Sequence, residues 1–303
     1  MVDKVLVIAS KRLGRIVLEK TYGMYPSKLC SVVTIDDSHD DRSAYSQFQE
    51  FSKQTGKTLH VLQKPSELLA VIEQEKPDIC LVSCWYWLIK SELLAKVPKG
   101  FLGIHGSLLP KYRGNAPLVW PIINGEKQSG LSLFYFDDGM DTGDVVGQRT
   151  FEISQQDTIK DILKKSESLV VDLIEEFYPM LIEGTAPRIA QNHSEATYCS
   201  QRRAEDGHLN WMLPNLRVHN LIRAQTSPYP GVFCYRKSEK IYIWKSSLFP
   251  YPYFGIPGLV VQSVENSVVV TCGKGAVCLH DVQVNGSRPQ KVDEILKYGM
   301  RLT

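Results

Sequence analysis

The first ninety residues alternate short apolar strands with helix-spaced segments, and this alternation limits the fold more than any other feature of the chain. The run VLVIA, within 4–9, reads as a central parallel strand buried on both faces. Residues 13–21 follow with helical spacing at Leu13, Ile16 and Val17. Residues 31–35 form a second, β-branched strand that runs into the polar DDSHDD. A helix is predicted over 48–55 and a short strand over 58–62. Ser66 is placed as the N-cap of another helix, with Glu67 in its first turn. Residues 78–82 and 101–105 read as two more strands. Successive βαβ units imply an open, mostly parallel sheet with right-handed crossovers.

Beyond His105 the pattern changes. A short helix is predicted over 117–124, strands over 130–136 and 145–153, and a long amphipathic helix over 159–182 that ends at Gly184. Residues 185–203 are polar and aperiodic and read as a linker. After them the periodicity is short and β-like, over 231–235, 240–244, 259–264, 267–271 and 276–280, broken by Gly, Pro, Ser and Asn. One helix is expected over 216–224. The expected organisation is an α/β domain over 1–184, the linker, and a small β-barrel over 204–303. A length of 303 residues suits roughly two domains of about 150 residues.

Composition removes several function classes. With 43% hydrophobic and 22% charged residues the chain is neither disordered nor collagen-like. A net charge of +2 is not the basic field of a nucleic-acid binder. The 7 cysteines include no CxxC pair, and most lie in apolar runs, so neither a zinc site nor a disulfide framework is expected. The first apolar run is too short for a signal peptide, and LVSCWYWLI at 81–89 is far below the ~18 residues of a membrane span. The expectation is a cytoplasmic protein with no membrane partner and no metal.

In an open α/β sheet, ligands bind at the carboxyl ends of the strands. Two polar clusters fall there. FLGIHGSLLPKYRGNAP places His105 at a strand end before Gly106 and Ser107, and DDGMDTGD follows the strand LSLFYF and contains Asp141. A His with an Asp to orient it is a general-base pair. Each residue alone reads more often as structural. DDGMDTGD lacks the alternating oxygen ligands and terminal Glu of a calcium loop. Its Asp-Thr-Gly also spells the aspartic-protease triplet, but that reading needs a second acid and a mostly β lobe, and this half of the chain is α/β. The turn after the first strand, ASKRLG, is no GxGxxG, which disfavours NAD.

HGSLLPKYRGNAP followed by Trp120, and then DxGxDTGD, resembles the 10-formyltetrahydrofolate-dependent formyltransferases. The resemblance covers almost the whole chain, including RRAEDGHLNW and VHNLIRAQTSPYPGVF at the start of the second domain. It implies a Rossmann-like catalytic domain and a small OB-like barrel. It implies 10-formyltetrahydrofolate as formyl donor, no metal, and His105 and Asp141 as the catalytic pair. The family's Asn, two positions before the His, is Gly103 here. Asn115, Ser107 and Gly103 are therefore singled out for oxyanion stabilisation or positioning, with Asn115 read preferentially as a helix cap. The resemblance places the pterin between Trp85, Tyr86, Trp87, Leu88 and Ile89 on one side and Asp137, Asp138, Gly139 and Met140 on the other. It places the acceptor at Lys111, Tyr112, Arg113 and Gly114.

Two subclasses compete. Methionyl-tRNA formyltransferases carry a basic loop after the second strand, whereas this chain has the acidic, aromatic DDSHDDRSAYSQFQEF. KYRGNAPLVW and IYIWKSSLFP are similar to the enzymes that formylate nucleotide-linked 4-amino sugars, and that subclass is preferred. The expected acceptor is a nucleotide sugar, with no nucleic-acid partner; a homodimer is compatible with the reading. A folate-binding protein disabled at Gly103 is the non-enzyme alternative.

Overall fold

The structure is a computed structural model and describes residues 1–285 and 290–303. Its contacts divide the chain into two compact units that interleave in sequence. The first comprises Met1–Pro117, Ser129–Phe151 and Lys164–Ser200, and the second comprises Leu118–Gln128, Glu152–Leu163 and Gln201–Thr303.

The first unit begins β1 (Val5–Ala9), α1 (Lys11–Met24), β2 (Leu29–Ile35), α2 (Tyr45–Thr55), β3 (Thr58–Leu62), α3 (Glu67–Glu75), β4 (Ile79–Ser83), α4 (Ser91–Leu94) and β5 (Phe101–His105). β6 (Arg113–Gly114) follows in the first unit, then α5 (Val119–Asn124), which belongs to the second, then β7 (Gln128–Tyr135), β8 (Val145–Glu152), α6 (Ile159–Glu183), whose first turn the second unit includes, and β9 (Tyr198–Cys199). The main sheet runs β3-β2-β1-β4-β5-β7-β8. β3, β2, β1, β4 and β5 are mutually parallel, and β7 is antiparallel to β5. Every residue of β1 and β4 is buried, as central strands covered on both faces require. Leu6, Ile8, Val33, Leu68, Ile72, Cys80 and Phe101 form one core. α1 lies so close to the sheet that a Cβ on Gly14 would sit 2.9 Å from the Ala9 Cβ and 3.2 Å from the Ser83 carbonyl.

Ser66 stands in the N-cap position of α3, with Glu67 in the first turn, but its hydroxyl makes no capping bond. Its backbone is already helical (φ −67°, ψ −19°), which turns its hydroxyl away from the first-turn amides. The Glu67 carboxylate instead accepts the Gln63 N–H at 2.8 Å. The strand ends Ala9, Ile35, Ser83 and His105 all point to one edge of the parallel sheet.

The second unit carries α7 (Asn215–Gln225), β10 (Val232–Arg236), β11 (Glu239–Leu248), β12 (Val260–Val264), β13 (Ser267–Thr271), β14 (Ala276–Val284), β15 (Gln290–Lys291) and α8 (Val292–Ile295). Its sheet is antiparallel, in the order β10-β11-β14-β13-β12, with β15 beside β14. Leu209, Trp211, Val218, Ile222, Ile241, Leu279 and Leu302 fill its core. Residues 300–303 hydrogen-bond both outer strands. Thr303 exchanges two bonds with Tyr235 of β10 (2.8 and 2.9 Å), and Met300 accepts the Val260 N–H of β12 at 2.9 Å. The two open edges are thereby covered, giving the expected small β unit a barrel-like closure. No described helix is long and apolar enough to cross a membrane.

Candidate active site

His105 ends β5 and is only 8% exposed. Its Nε2 lies 2.8 Å from the Tyr112 carbonyl oxygen. A carbonyl only accepts, so Nε2 carries the proton and the neutral ring keeps its lone pair on Nδ1. Tyr112 adopts a left-handed backbone (φ 58°), and its N–H donates to the Thr197 hydroxyl at 2.8 Å. Asp141, also left-handed (φ 54°), brings Oδ2 to 3.6 Å from Nδ1 and accepts the Gly114 N–H at 2.7 Å. The sequence reading gives the task of fixing the ring to Asp141. At 3.6 Å the carboxylate is too far to hydrogen-bond directly, and the Tyr112 carbonyl does it instead. The result is an available base nitrogen with a carboxylate beside it, at the carboxyl edge of the sheet.

Ser107 is buried and donates to the Lys111 carbonyl at 2.5 Å, closing the loop that delivers Tyr112. Lys111 is exposed. Arg113 is not: it is 1% exposed, and its guanidinium donates to Gln191 Oε1 (3.2 and 2.6 Å), the Tyr198 hydroxyl (3.2 Å) and His193 Nδ1 (3.1 Å). The expected acceptor contact at Arg113 is therefore replaced by an internal one. Gly114 is glycine by necessity, since φ is 101° and a Cβ would meet the Cys199 carbonyl at 2.5 Å. Asn115 is exposed, and its N–H donates to the Cys199 carbonyl at 3.1 Å. It does not cap α5, because that helix starts at Val119 with Leu118 in the N-cap position.

Gly103 lies within β5, opposite Phe134 of β7. A Cβ there would meet Phe136 Cε1 at 2.1 Å and Phe134 Cε1 at 3.0 Å. The space that a longer side chain would use is filled by aromatic rings, themselves packed 5.2 Å apart.

The segment after β4 divides in two. Trp85 and Trp87 pack edge to face at 5.3 Å and join the core with buried Ile89. Leu88 is 86% exposed, and the buried Trp85 indole N–H has no hydrogen-bond partner among the described residues. Tyr86 turns to a second polar group. Its hydroxyl donates to Asp37 Oδ2 at 3.1 Å, and Lys11 Nζ lies 5.3 Å from its ring centre. Lys11 pairs with both Asp37 and Asp40 at 2.8 Å, and Arg42 with Asp40 at 2.8 Å. Burial acts to raise both carboxyls, but the Lys11, Ser43 and Arg42 hydrogen bonds override it and hold them below the usual range. Across the edge, Asp137 Oδ1 accepts the Gly139 N–H (3.1 Å) and the Thr142 hydroxyl (2.5 Å), building the turn that ends at Asp141. Asp138 and Met140 are exposed.

The structure thus brings His105, Ser107, Tyr112, Gly114 and Asp141 together and sends Arg113 and Tyr86 elsewhere. Sequence reasoning misses Gln191 and Thr197, which carry no periodic signal, and it places Phe136 only at the end of a strand, not over Gly103. It also misses Lys11, whose only signal is its place just after the first strand.

The sequence profile of the Formyl transferase family matches residues 3–175, and that of the Formyl transferase C-terminal domain matches residues 202–298. The chain belongs to the formyl transferase family. It is 34% identical to the methionyl-tRNA formyltransferase of Acetivibrio thermocellus over 277 residues, 89% of this chain and 88% of that protein. The methionyl-tRNA formyltransferase of Caldanaerobacter subterraneus subsp. tengcongensis is 32% identical over 274 residues, 88% of this chain and 87% of that protein. Among solved structures, the sugar 3N-formyl transferase WlaRD, with dTDP and 5-N-formyl-THF, has a TM-score of 0.69 at 20% identity, covering 91% of this chain and 97% of that one. An N-formyltransferase from Helicobacter canadensis, with folinic acid and dTDP-3-aminofucose, has a TM-score of 0.71 at 21% identity, covering 91% and 98%. This formyltransferase accordingly has the two-part architecture of its family.

Proposed function

We propose that this formyltransferase moves a formyl group from 10-formyltetrahydrofolate to the amine of a nucleotide-linked amino sugar. The observation that carries the acceptor class is the loop after β2. It exposes Asp36 and Asp41, while Lys11 and Arg42 are committed to the buried Asp37 and the partly buried Asp40, so the loop offers a phosphate backbone acidic groups, with both of these cations already paired. The two structures solved with dTDP, one of them with an amino sugar, support the same class. The reading of the chain as a methionyl-tRNA formyltransferase is favoured by the names of its sequence relatives.

The 85–89 and 137–141 segments fit a flat heteroaromatic donor. They offer exposed apolar side chains at Leu88 and Met140 and, at Trp85, an indole N–H with no hydrogen-bond partner among the described residues. When bound, 10-formyltetrahydrofolate supplies an N-acyl group for transfer. His105 Nδ1 takes the proton that the attacking amine must lose as its bond to the formyl carbon forms. Asp141 stabilises the imidazolium so produced, and His105 returns the proton to the nitrogen that departs. Holding amine and acyl carbon together at the sheet edge supplies much of the remaining acceleration.

The test is a thermal-shift and formyl-transfer panel of nucleotide amino sugars and initiator methionyl-tRNA, with the folate donor present. A cognate nucleotide sugar raises the melting temperature and is formylated. Initiator tRNA at ~150 mM salt binds no tighter than ~10⁻⁴–10⁻⁶ M. Efficient formylation of methionyl-tRNA overturns the acceptor assignment.

A further inference from the structure

The left-handed turn at Asp141 is held by a residue far along the chain. A non-glycine residue keeps such a backbone only where its surroundings over-determine it. Gln191 supplies that constraint. It is 8% exposed, and its Nε2 donates to the Asp141 carbonyl at 2.9 Å and to the Gly143 carbonyl at 2.6 Å. Its Oε1 accepts from Arg113 Nε at 3.2 Å and Nη2 at 2.6 Å. A guanidinium only donates, so Arg113 fixes which end of the amide is oxygen and leaves the NH₂ group facing the two carbonyls. Arg113 also precedes Gly114, whose N–H holds Asp141 Oδ2. Main chain and side chain of Asp141 are thus pinned separately, and Oδ2 faces His105 Nδ1.

We propose that Gln191 is a positioning residue for formyl transfer, its amide oriented by Arg113 so that it sets the Asp141 turn against His105. The proposal rests on His105 and Asp141 being the transfer pair. Gln191 acts through Asp141 and touches neither substrate.

Gln191→Glu separates this role from simple anchoring. The carboxylate keeps the bond to Arg113, so the segment stays attached, but it presents only acceptors to the Asp141 and Gly143 carbonyls. Gln191→Leu removes both contacts. For wild type, both variants and Asp141→Asn, the measurements are kcat, the donor KM, the melting temperature and the ring-nitrogen NMR resonances of His105, assigned with His105→Asn. Gln191→Glu is expected to lower kcat about ten-fold or more with the donor KM within about two-fold. Its melting temperature falls less than that of Gln191→Leu, because the bond to Arg113 is kept, and its His105 resonances move toward those of Asp141→Asn. Wild-type kcat with unmoved resonances overturns the proposal. A loss expressed only as a raised donor KM also overturns it, since the amide would then serve binding. The resonances need no acceptor. If wild type formylates nothing tested, the functional reading fails while the Gln191 proposal is still decided by them.

Discussion

Gly103 is kept a glycine by a ring above it rather than by its own backbone, which is ordinary strand. Installing the Asn of the formyltransferase motif must therefore displace Phe136, whose ring packs on Phe134 and against the core. Gly103→Asn is expected to cost on the order of 1–3 kcal/mol from overpacking and to bring no gain in kcat. Because the two side chains compete for one space, Gly103→Asn and Phe136→Ala should be strongly non-additive in urea unfolding, and additive costs would refute the account. At His105 the expectation concerns rate. His105→Asn should lose about 10²–10⁴ in kcat with unchanged circular dichroism, and near-normal turnover would remove the base from the mechanism. Asn115 caps no helix, so Asn115→Ala should leave the melting temperature unmoved. The kcat of that variant then reads its part at the oxyanion directly.

Between elements, the junction of β1–α1 with the loop after β2 is an ionic knot. Lys11, left-handed at φ 56°, places its ammonium between Asp37 and Asp40, and Asp37 is only 3% exposed. Both carboxyls are held below their ordinary range. Such groups stabilise the fold above the ordinary carboxylate value, ~3.9, and lose that contribution as pH falls through the depressed folded value. The melting temperature of wild type should thus decline on acidification below about pH 4. Lys11→Met leaves the buried Asp37 with only the Ser43 and Tyr86 hydroxyls and should cost about 1–3 kcal/mol at neutral pH, with the difference shrinking toward pH 3. A constant difference across that range would mean that the knot contributes packing alone. The 185–203 segment, which composition presents as a linker, is likewise a working element. Thr197 holds the Tyr112 peptide, and β9 pairs with β6 in parallel.

On the scale of the whole molecule, the two units should respond to acid at different pH. In the second unit His219 is buried, which lowers its proton affinity; the Gln155 carbonyl opposes this, and Arg223 and His280 reinforce it. His280 is lowered too, by burial and by Lys245, with Asp281 opposing. The fold therefore favours both neutral rings, so their contribution is complete above about pH 6.5 and fades as pH falls through the depressed values. Calorimetry should show the second unit losing stability between neutrality and about pH 5, before the carboxylates of the first unit respond, and His219→Gln should flatten that slope. A second-unit transition that ignores pH in this range would refute it. What the sequence determined by itself is whatever rests on period and local chemistry. The buried runs VLVIA and ICLVS fix the parallel sheet, the turn-punctuated short strands fix the antiparallel unit, and HGSLLPKYRGNAP with DDGMDTGD marks the strand ends where chemistry sits. Only the tertiary structure decided what those residues touch. Arg113 faces Gln191, 78 positions away, and Tyr86 faces Asp37, 49 positions away. Phe136 stands over Gly103, and Tyr112 rather than Asp141 fixes the His105 ring. Contacts between residues so distant, or made through a backbone carbonyl, leave no periodic trace in the chain, because they depend on how finished elements pack and not on which residue follows which.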